Sequence, residues 1–294
     1  MGARTSRSRV AVRGVGLAVA GTAAVTLLGG CLRDVGSGFA GFGWPEGGIT
    51  DRSERMYDMW IGSVVAALLV GLLVWGLIFW CVVRYRKRGE QLPVQTRFNL
   101  PIEVFYSIAP FLVIAVLFYY TVVIQTDVEA TSPDPDVTVE VVAFKWNWQF
   151  NYRDGIGPDA NTTASTVGAS DQIPVLVLPT GQTIRFELTA QDVVHSFWVP
   201  ELLFKRDVFP GSLRNQFEVT IRPGSEGAYV GRCAELCGTY HSAMNFEVRA
   251  VPPERYQQYL SALESGMAQP EALQSIGEEP FATTTEPFDT LRTS

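Results

Sequence analysis

The order of apolar and polar positions divides the chain into stretches of different period. Trp60 to Val83, "WIGSVVAALLVGLLVWGLIFWCVV", is a run of 24 residues without a charged side chain. At about 1.5 Å per residue a helix of this length crosses a hydrocarbon core of roughly 30 Å. A transmembrane helix is therefore predicted over 59–83. A second run follows "RFNLPIEVFYS" and continues as "IAPFLVIAVLFYYTVVI" to Ile124. It predicts a second span over 104–124, bent rather than ended at Pro110, since neighbouring groups can satisfy the carbonyl that proline frees.

From Val137 the period falls to two. "VTVEVVAFKWNWQFNY" alternates in twos, and so do "IPVLVLPTGQTIRFELTA", "LRNQFEVTIRP", "GAYVGRC" and "NFEVRAV", with Gly and Pro punctuation between them. Short strands of this kind predict an antiparallel sandwich or barrel. "RDGIGPDANTTASTVGASD" reads as a polar loop, "PPERYQQYLSALESG" as one short surface helix and "EEPFATTTEPFDTLRTS" as a disordered acidic tail, so that 253–294 lies outside the strand-rich domain of 125–252. The expected fold is a two-helix transmembrane hairpin followed by an all-β sandwich.

Charge orients this arrangement. The net charge of −7 conceals a basic front, with 12 Lys and Arg against 7 Asp and Glu over residues 1–124, and an acidic remainder, with 9 against 16 over 125–250. "RYRKR" at 84–88 directly follows the first span, and such a cluster marks the cytoplasmic side of a bacterial inner membrane. The loop 84–103 is then cytoplasmic, while 31–58 and everything after Gln125 lie outside. Trp60, Trp80, Tyr119 and Tyr120 fit interfacial belts. The acidic outer domain excludes nucleic acid as a partner, because phosphates would repel it.

The first thirty residues read as a signal peptide, with Arg4, Arg7, Arg9 and Arg13 ahead of "VGLAVAGTAAVTLLGG". "LLGGC" is similar to a bacterial lipobox, which would make Cys31 the lipidated first residue of the mature chain. Cys81, just inside the first span, reads as a packing or lipid-facing residue.

Chemistry concentrates in "GRCAELCGTYHSAM", residues 231–244, where Cys233, Cys237, His241 and Met244 follow the spacing C-x3-C-x3-H-x2-M. Residues this dense must wrap a point in a loop. The chain's other histidine, His195, sits at a strand end in "DVVHSFWVPELLFKRDVFPG". Thiolate and thioether are soft ligands and imidazole is borderline, so the set suits copper better than calcium or magnesium. A mononuclear blue-copper site uses one cysteine, and here there are two. Two thiolates and two imidazoles fit two copper ions bridged by both sulfurs. A Cys2His2 zinc site leaves the methionine unexplained, and a plain disulfide leaves both histidines and the methionine unexplained. The aromatic run Trp146 to Tyr152, "WNWQFNY", has the period of a core-facing strand. Glu103, in "NLPIEVFYS", is an ionisable residue at the cytoplasmic start of a span and so a candidate functional group or a carboxylate facing water.

"CAELCGTYHSAM" together with "DVVHSFWVPELLFKRDVFPG" resembles subunit II of haem-copper cytochrome c oxidases, and the hairpin, aromatic strand and sandwich extend the resemblance over nearly the whole mature chain. The resemblance implies a cupredoxin-like sandwich and a binuclear CuA centre. Its ligands would be His195, Cys233, Cys237, His241 and Met244, with Glu235 contributing its backbone carbonyl. The Glu235 side chain would reach a magnesium ion shared with subunit I, and Asp207, in "KRDVFPG", would lie near that magnesium unless it merely pairs with Lys205 or Arg206. Trp146 would receive electrons, although Asn147 and Phe150 stand where the family more often has tyrosine. Glu103 would stand at the mouth of a proton pathway into subunit I.

The implied function is to accept electrons from cytochrome c and pass them to haem in subunit I, where oxygen is reduced to water with proton translocation. Subunits I and III and a cytochrome c are the implied partners. The sequence contains no C-x-x-C-H haem-attachment motif. The segment after Tyr152 is rich in Gly, Asn and Thr where relatives cluster acids, which leaves open a membrane-tethered cytochrome c as donor. A quinol oxidase subunit II lacks the copper ligands, a nitrous oxide reductase adds a large second domain, and a disulfide-stapled lipoprotein is the non-redox alternative.

Overall fold

The computed structural model describes residues 48–92 and 94–287. The expected signal peptide and the expected lipidation at Cys31 fall outside the described residues. Helix α1 spans Asp51–Arg84 and α2 spans Leu100–Val128. Both are long and apolar enough to cross a membrane. At about 1.5 Å per residue they run to roughly 50 and 44 Å, beyond the hydrocarbon thickness. The surplus is polar and has partners. Thr50 caps α1 in a reciprocal capping box with Ser53, and Arg52 and Arg55 both pair with Asp127 at the end of α2, at 3.1 and 2.8 Å. The first helix therefore begins at Asp51 and not at residue 59: "DRSERMYD" stays helical because its caps and ion pairs lie above the apolar run. Helix α2 continues through Pro110.

The top of α1 is fastened to the outer domain. Ile49 donates its N–H to the Glu201 carbonyl at 3.0 Å and accepts from Arg222 N–H at 2.9 Å, and Thr220 N–H donates to the Asp51 carboxylate at 2.8 Å. Backbone bonds on both sides of the helix start make the hairpin a continuation of the domain.

That domain is a sandwich of two five-stranded sheets. Its strands are β1 Val137–Phe144, β2 Asn147–Asp154, β3 Asn161–Val167, β4 Val175–Pro179, β5 Thr183–Ala190, β6 His195–Val199, β7 Phe204–Val208, β8 Asn215–Thr220, β9 Gly227–Cys233 and β10 Asn245–Val251. One sheet has the order β3-β2-β1-β5-β8 and the other β4-β10-β9-β6-β7. The expectation of a purely antiparallel sandwich fails at two pairs, because β1 runs parallel to β5 and β10 parallel to β4. The chain crosses between the sheets, so neighbours in a sheet are not neighbours in sequence.

"VTVEVVAFKWNWQFNY" forms a hairpin, with Phe144 opposite Asn147 and Lys145–Trp146 as its turn. Its inner face carries Val139, Val141 and Ala143 on one arm and Trp148, Phe150 and Tyr152 on the other. The polar stretch after Tyr152 likewise contains β3. This edge strand buries only Ala164 and Thr166 and so lacks an apolar alternation.

The chain after Val251 also departs from expectation. Two helices, α3 Pro253–Glu264 and α4 Gln269–Ser275, bury Tyr256, Tyr259, Ala272 and Leu273 against the sandwich. The segment beyond is ordered by a carboxylate. Glu247 on β10 is 0% exposed, pairs with Arg249, and accepts the backbone N–H groups of Thr283 and Thr284 at 2.6 and 2.7 Å. A polar, threonine-rich tail reads as disordered until its acceptor, some 36 residues earlier, is known.

Burial alone would raise the Glu247 pKa, but hydrogen bonds from Arg249, Thr284 and Thr283 outweigh it and hold it below the usual carboxylate range. A depressed folded-state value contributes stability that is present above the unfolded pKa of about 4.3 and lost as pH falls through the folded one. Glu247→Ala leaves the buried Arg249 with only its outer partner Glu278, at 3.1 Å, removes the acceptor of Thr283 and Thr284, and is expected to cost about 3 kcal/mol. Thermal unfolding of the detergent-solubilised chain should show this loss at pH 7 and a progressively smaller one as pH falls below the unfolded value of about 4.3, where the unfolded chain takes up the proton first. An equal effect at both pH values would contradict this account.

Candidate metal centre

Two loops and a hairpin turn converge at one end of the sandwich. Cys233 is the last residue of β9, and its N–H donates to the Met244 carbonyl at 3.0 Å, which closes the loop 234–244 on itself. Ala234 N–H donates to the Ser196 carbonyl at 3.1 Å and fastens that loop to β6. His195 opens β6 instead of ending a strand, so its ring projects from the sheet directly into the loop. His241 opens a short 3-10 turn, His241–Ala243, that leads to Met244.

The donor atoms form a compact set. The Sγ atoms of Cys233 and Cys237 lie 3.9 Å apart and are not bonded; a disulfide would need about 2.05 Å. Cys233 Sγ faces His195 Nδ1 at 3.8 Å, and Cys237 Sγ faces His241 Nδ1 at 3.7 Å. Met244 Sδ lies 3.8 Å from Cys237 Sγ, and the Glu235 carbonyl oxygen lies 3.3 Å from Cys233 Sγ. Each sulfur thus has its own imidazole and one further weak donor. His195, Cys233, Cys237 and Met244 are buried, whereas Glu235 is exposed. Two sulfurs, two imidazole nitrogens, a thioether and a carbonyl could hold two soft ions side by side.

The proton inventory fits. The Asp192 carboxylate, which only accepts, lies 2.8 Å from His195 Nε2, so the ring proton sits there and Nδ1 offers its lone pair toward the sulfurs. When the His195 ring carries a proton on both nitrogens, its bond to Cys233, with the Glu235 and Ser196 backbone, outweighs burial and lowers that thiol to about 7. Cys237 is pushed up to about 12 by burial and by the Cys233 charge beside it. The second proton leaves only when a cation takes its place.

The remaining sequence-derived candidates are placed as follows. Trp146 is half-buried in the β1–β2 turn, where its Nε1–H donates to the Cys237 carbonyl at 3.3 Å and its ring meets Tyr240 edge-on at 4.9 Å. The other aromatics of that run, Trp148, Phe150 and Tyr152, are core. Asp207 pairs with neither Lys205 nor Arg206 among the described residues; it accepts from Ser196 Oγ, while Arg206 pairs with Glu129. Glu103 lies in the first turn of α2 and accepts the Asn99 N–H at 2.8 Å, far in sequence from the metal loop. Sequence reasoning missed the scaffolding part of Asp192 and the requirement for glycine at 238. The first had a signal in its position three residues before His195; the second had none.

A membrane-anchored, cupredoxin-like sandwich with a buried thiolate–imidazole centre for soft metal ions is the class that this fold and site define. The family profile described as the periplasmic domain of cytochrome c oxidase subunit II matches residues 137–251. The probable cytochrome c oxidase subunit 2 of Nocardia farcinica is 45% identical, over 100% of this chain and 93% of its own. Cytochrome c oxidase subunit 2 of Mycobacterium tuberculosis is 42% identical, over 86% of this chain and 83% of its own. The crystal structure of the periplasmic domain of subunit II of cytochrome oxidase of Bradyrhizobium japonicum is 26% identical, covers 47% of this chain and 100% of that one, and superposes with a TM-score of 0.38. The chain belongs to the cytochrome c oxidase subunit II family. It is the CuA-type, copper-carrying subunit of an oxidoreductase complex, a membrane protein with an extracytoplasmic domain.

Gly238 adopts φ +126°, and a Cβ there would lie 3.2 Å from the Trp146 indole. Gly238→Ala combines backbone strain of about 1–3 kcal/mol with displacement of that ring. The expected result is a shifted tryptophan fluorescence spectrum and slower reduction of the centre by its donor. Gly224→Ala, also at positive φ but with nothing within 4 Å, controls for strain alone.

Proposed function

We propose that His195, Cys233, Cys237, His241 and Met244, with the Glu235 carbonyl, hold two copper ions, and that this chain delivers electrons from a cytochrome c to haem in subunit I. The observation that carries the assignment is the pair of buried, unbonded sulfurs 3.9 Å apart, each facing a different imidazole. A disulfide is incompatible with that separation, and a single tetrahedral zinc ion leaves the Met244 thioether without a part. Bound copper supplies a one-electron relay whose charge is shared between two ions. Trp146 provides the approach, since its indole N–H bonds directly to the backbone of a ligand residue and its half-buried ring meets the exposed Tyr240.

The finer assignments follow. The exposed Glu235 side chain offers a hard oxygen donor to a magnesium ion at the subunit I interface, and Asp207, whose partner Ser196 also bonds the metal loop, assists that ion through water. Glu103, at the basic and hence cytoplasmic end of α2, serves proton uptake into subunit I. Subunit III completes the complex, Cys31 carries the lipid anchor after signal removal, and the hairpin sits as a two-span unit in the bacterial inner membrane.

The donor is a membrane-tethered cytochrome c in preference to a freely diffusing basic one. A groove of about 360 Å³ runs beside Trp146, lined by residues that include Asn147, Ser170, Tyr240 and Asn245, with Lys145 its one charged residue. Asp192, the nearest acid to His195 in sequence, is exposed but has both carboxylate oxygens taken up by His195, Val193 and Lys145. Weak charge at the contact gives little electrostatic steering.

Copper added to the purified, reduced chain should give a purple species whose paramagnetic resonance shows hyperfine coupling to two equivalent copper nuclei. Cys237→Ser should abolish that coupling while the chain still folds. A colourless wild type would sink the assignment. Electron transfer in the isolated complex should change little between 50 and 200 mM salt, that is roughly from weak to strong screening; a steep fall would point to a diffusing donor.

A further inference from the structure

Asp192 does more than orient one imidazole. Its Oδ1 accepts from His195 Nε2 at 2.8 Å and from the Val193 N–H at 2.7 Å, and its Oδ2 accepts from the Lys145 N–H at 2.7 Å. Lys145 is the first residue of the β1–β2 turn, and the second is Trp146. One carboxylate therefore joins a buried metal-facing ring to the turn that presents the aromatic approach. Trp146 closes the loop through Cys237, whose sulfur lies 3.9 Å from that of Cys233, which in turn faces His195. We propose that Asp192 is a positioning residue that holds the His195 ring and the Trp146 turn in one fixed relation, so that the aromatic approach and the metal centre keep their register.

The chemistry requires a carboxylate. Three N–H donors converge on two oxygens, and no donor atom of Asp192 has to be placed. An asparagine has one oxygen and one NH2 group. If its oxygen takes the Oδ1 position it serves two donors, His195 and Val193, and its NH2 then opposes the Lys145 N–H. The opposite flip serves one donor and sets the NH2 against two. The first orientation is favoured, so Asp192→Asn should keep the histidine and release the turn. Asp192→Ala removes all three acceptors and should release both. Val193 and Gln191 flank the carboxylate with no competing charge; Gln191 N–H is bound to the Ala143 carbonyl at 2.9 Å, which keeps the segment beside the hairpin.

This inference rests on the copper reading for one of its two measurements only. Hydrogen exchange, followed by mass spectrometry on the metal-free full chain in detergent, reads the turn through the peptide containing Lys145. Visible absorption and paramagnetic resonance of the copper-loaded full chain read the histidine. Asp192→Asn is expected to speed exchange at the turn roughly tenfold, as loss of one charge-assisted hydrogen bond should, and to keep the wild-type copper spectrum. Asp192→Ala is expected to speed the same exchange and to alter the spectrum. Asp154→Asn, at the far end of β2, should change neither. An Asp192→Ala variant with normal exchange at the turn, or with an unaltered copper spectrum, overturns the proposal. Should Asp192→Ala fail to fold, Asp192→Asn decides: a released turn with an intact spectrum supports the linkage, and an unchanged turn refutes it. A wild type that gives no binuclear spectrum would refute the copper reading instead, and the exchange measurement would still report on the carboxylate.

Discussion

Two thiols four residues apart in an extracytoplasmic domain are under a standing drive to oxidise to a disulfide. The fold holds them at 3.9 Å, far from bonding, and the rest of the centre depends on that separation. It is set by backbone hydrogen bonds rather than by the sulfurs. Cys233 is fixed at the end of β9 by its bond to the Met244 carbonyl, and the residue after it by Ser196. Cys237 is fixed from the other side, where its carbonyl accepts the Trp146 indole N–H. Because these partners come from β6, from the residue that leads into β10 and from the β1–β2 turn, the sulfur separation reports on the assembly of both sheets. A local loop with the same spacing would not be so constrained.

The same dependence explains the aromatic content of the interior. Trp148 packs against Phe246 at 5.2 Å and near His195 at 6.3 Å, and its indole N–H donates to the Met244 carbonyl at 3.3 Å. Phe197 stacks on Phe246 at 4.8 Å. Rigid rings of this size fill the space under the centre with few rotamers, which suits a site whose geometry must change little between oxidation states. Gly231 permits this packing, since any Cβ there would fall within 2.1 Å of the Phe246 ring.

Much of this was legible in the sequence, and the parts that were not share a cause. The two spans, the strand-rich domain and the metal residues are written in local patterns: uncharged runs, alternation in twos, and a dense cluster of soft ligands. The hairpin at Lys145–Trp146 also had a local signal, because the apolar phase moves from odd positions at Val139, Val141 and Ala143 to even ones at Trp148, Phe150 and Tyr152. A continuous strand cannot change phase, whereas an antiparallel hairpin with a two-residue turn must. By contrast, the order of the C-terminal segment depends on Glu247, and the part played by Asp192 depends on Lys145. Both partners are remote in sequence, and a polar residue with a remote partner looks like a solvated one.

The mechanical continuity from membrane to metal is the last consequence of these contacts. Helix α1 enters the domain through Ile49, whose N–H bonds to Glu201, and Glu201 follows β6 in the 3-10 turn Pro200–Leu202. Strand β6 carries His195 at its other end. Only the stretch Ser196–Pro200 therefore separates the residue that fastens the transmembrane hairpin from the His195 imidazole, and Ser196 within it bonds both the metal loop and Asp207. An electron-transfer partner embedded in the membrane needs the centre held at a constant height and orientation, because transfer rates fall steeply with distance. A flexible linker between hairpin and sandwich would defeat that purpose, and backbone hydrogen bonds at Ile49 and Arg222 make the junction part of the sheet.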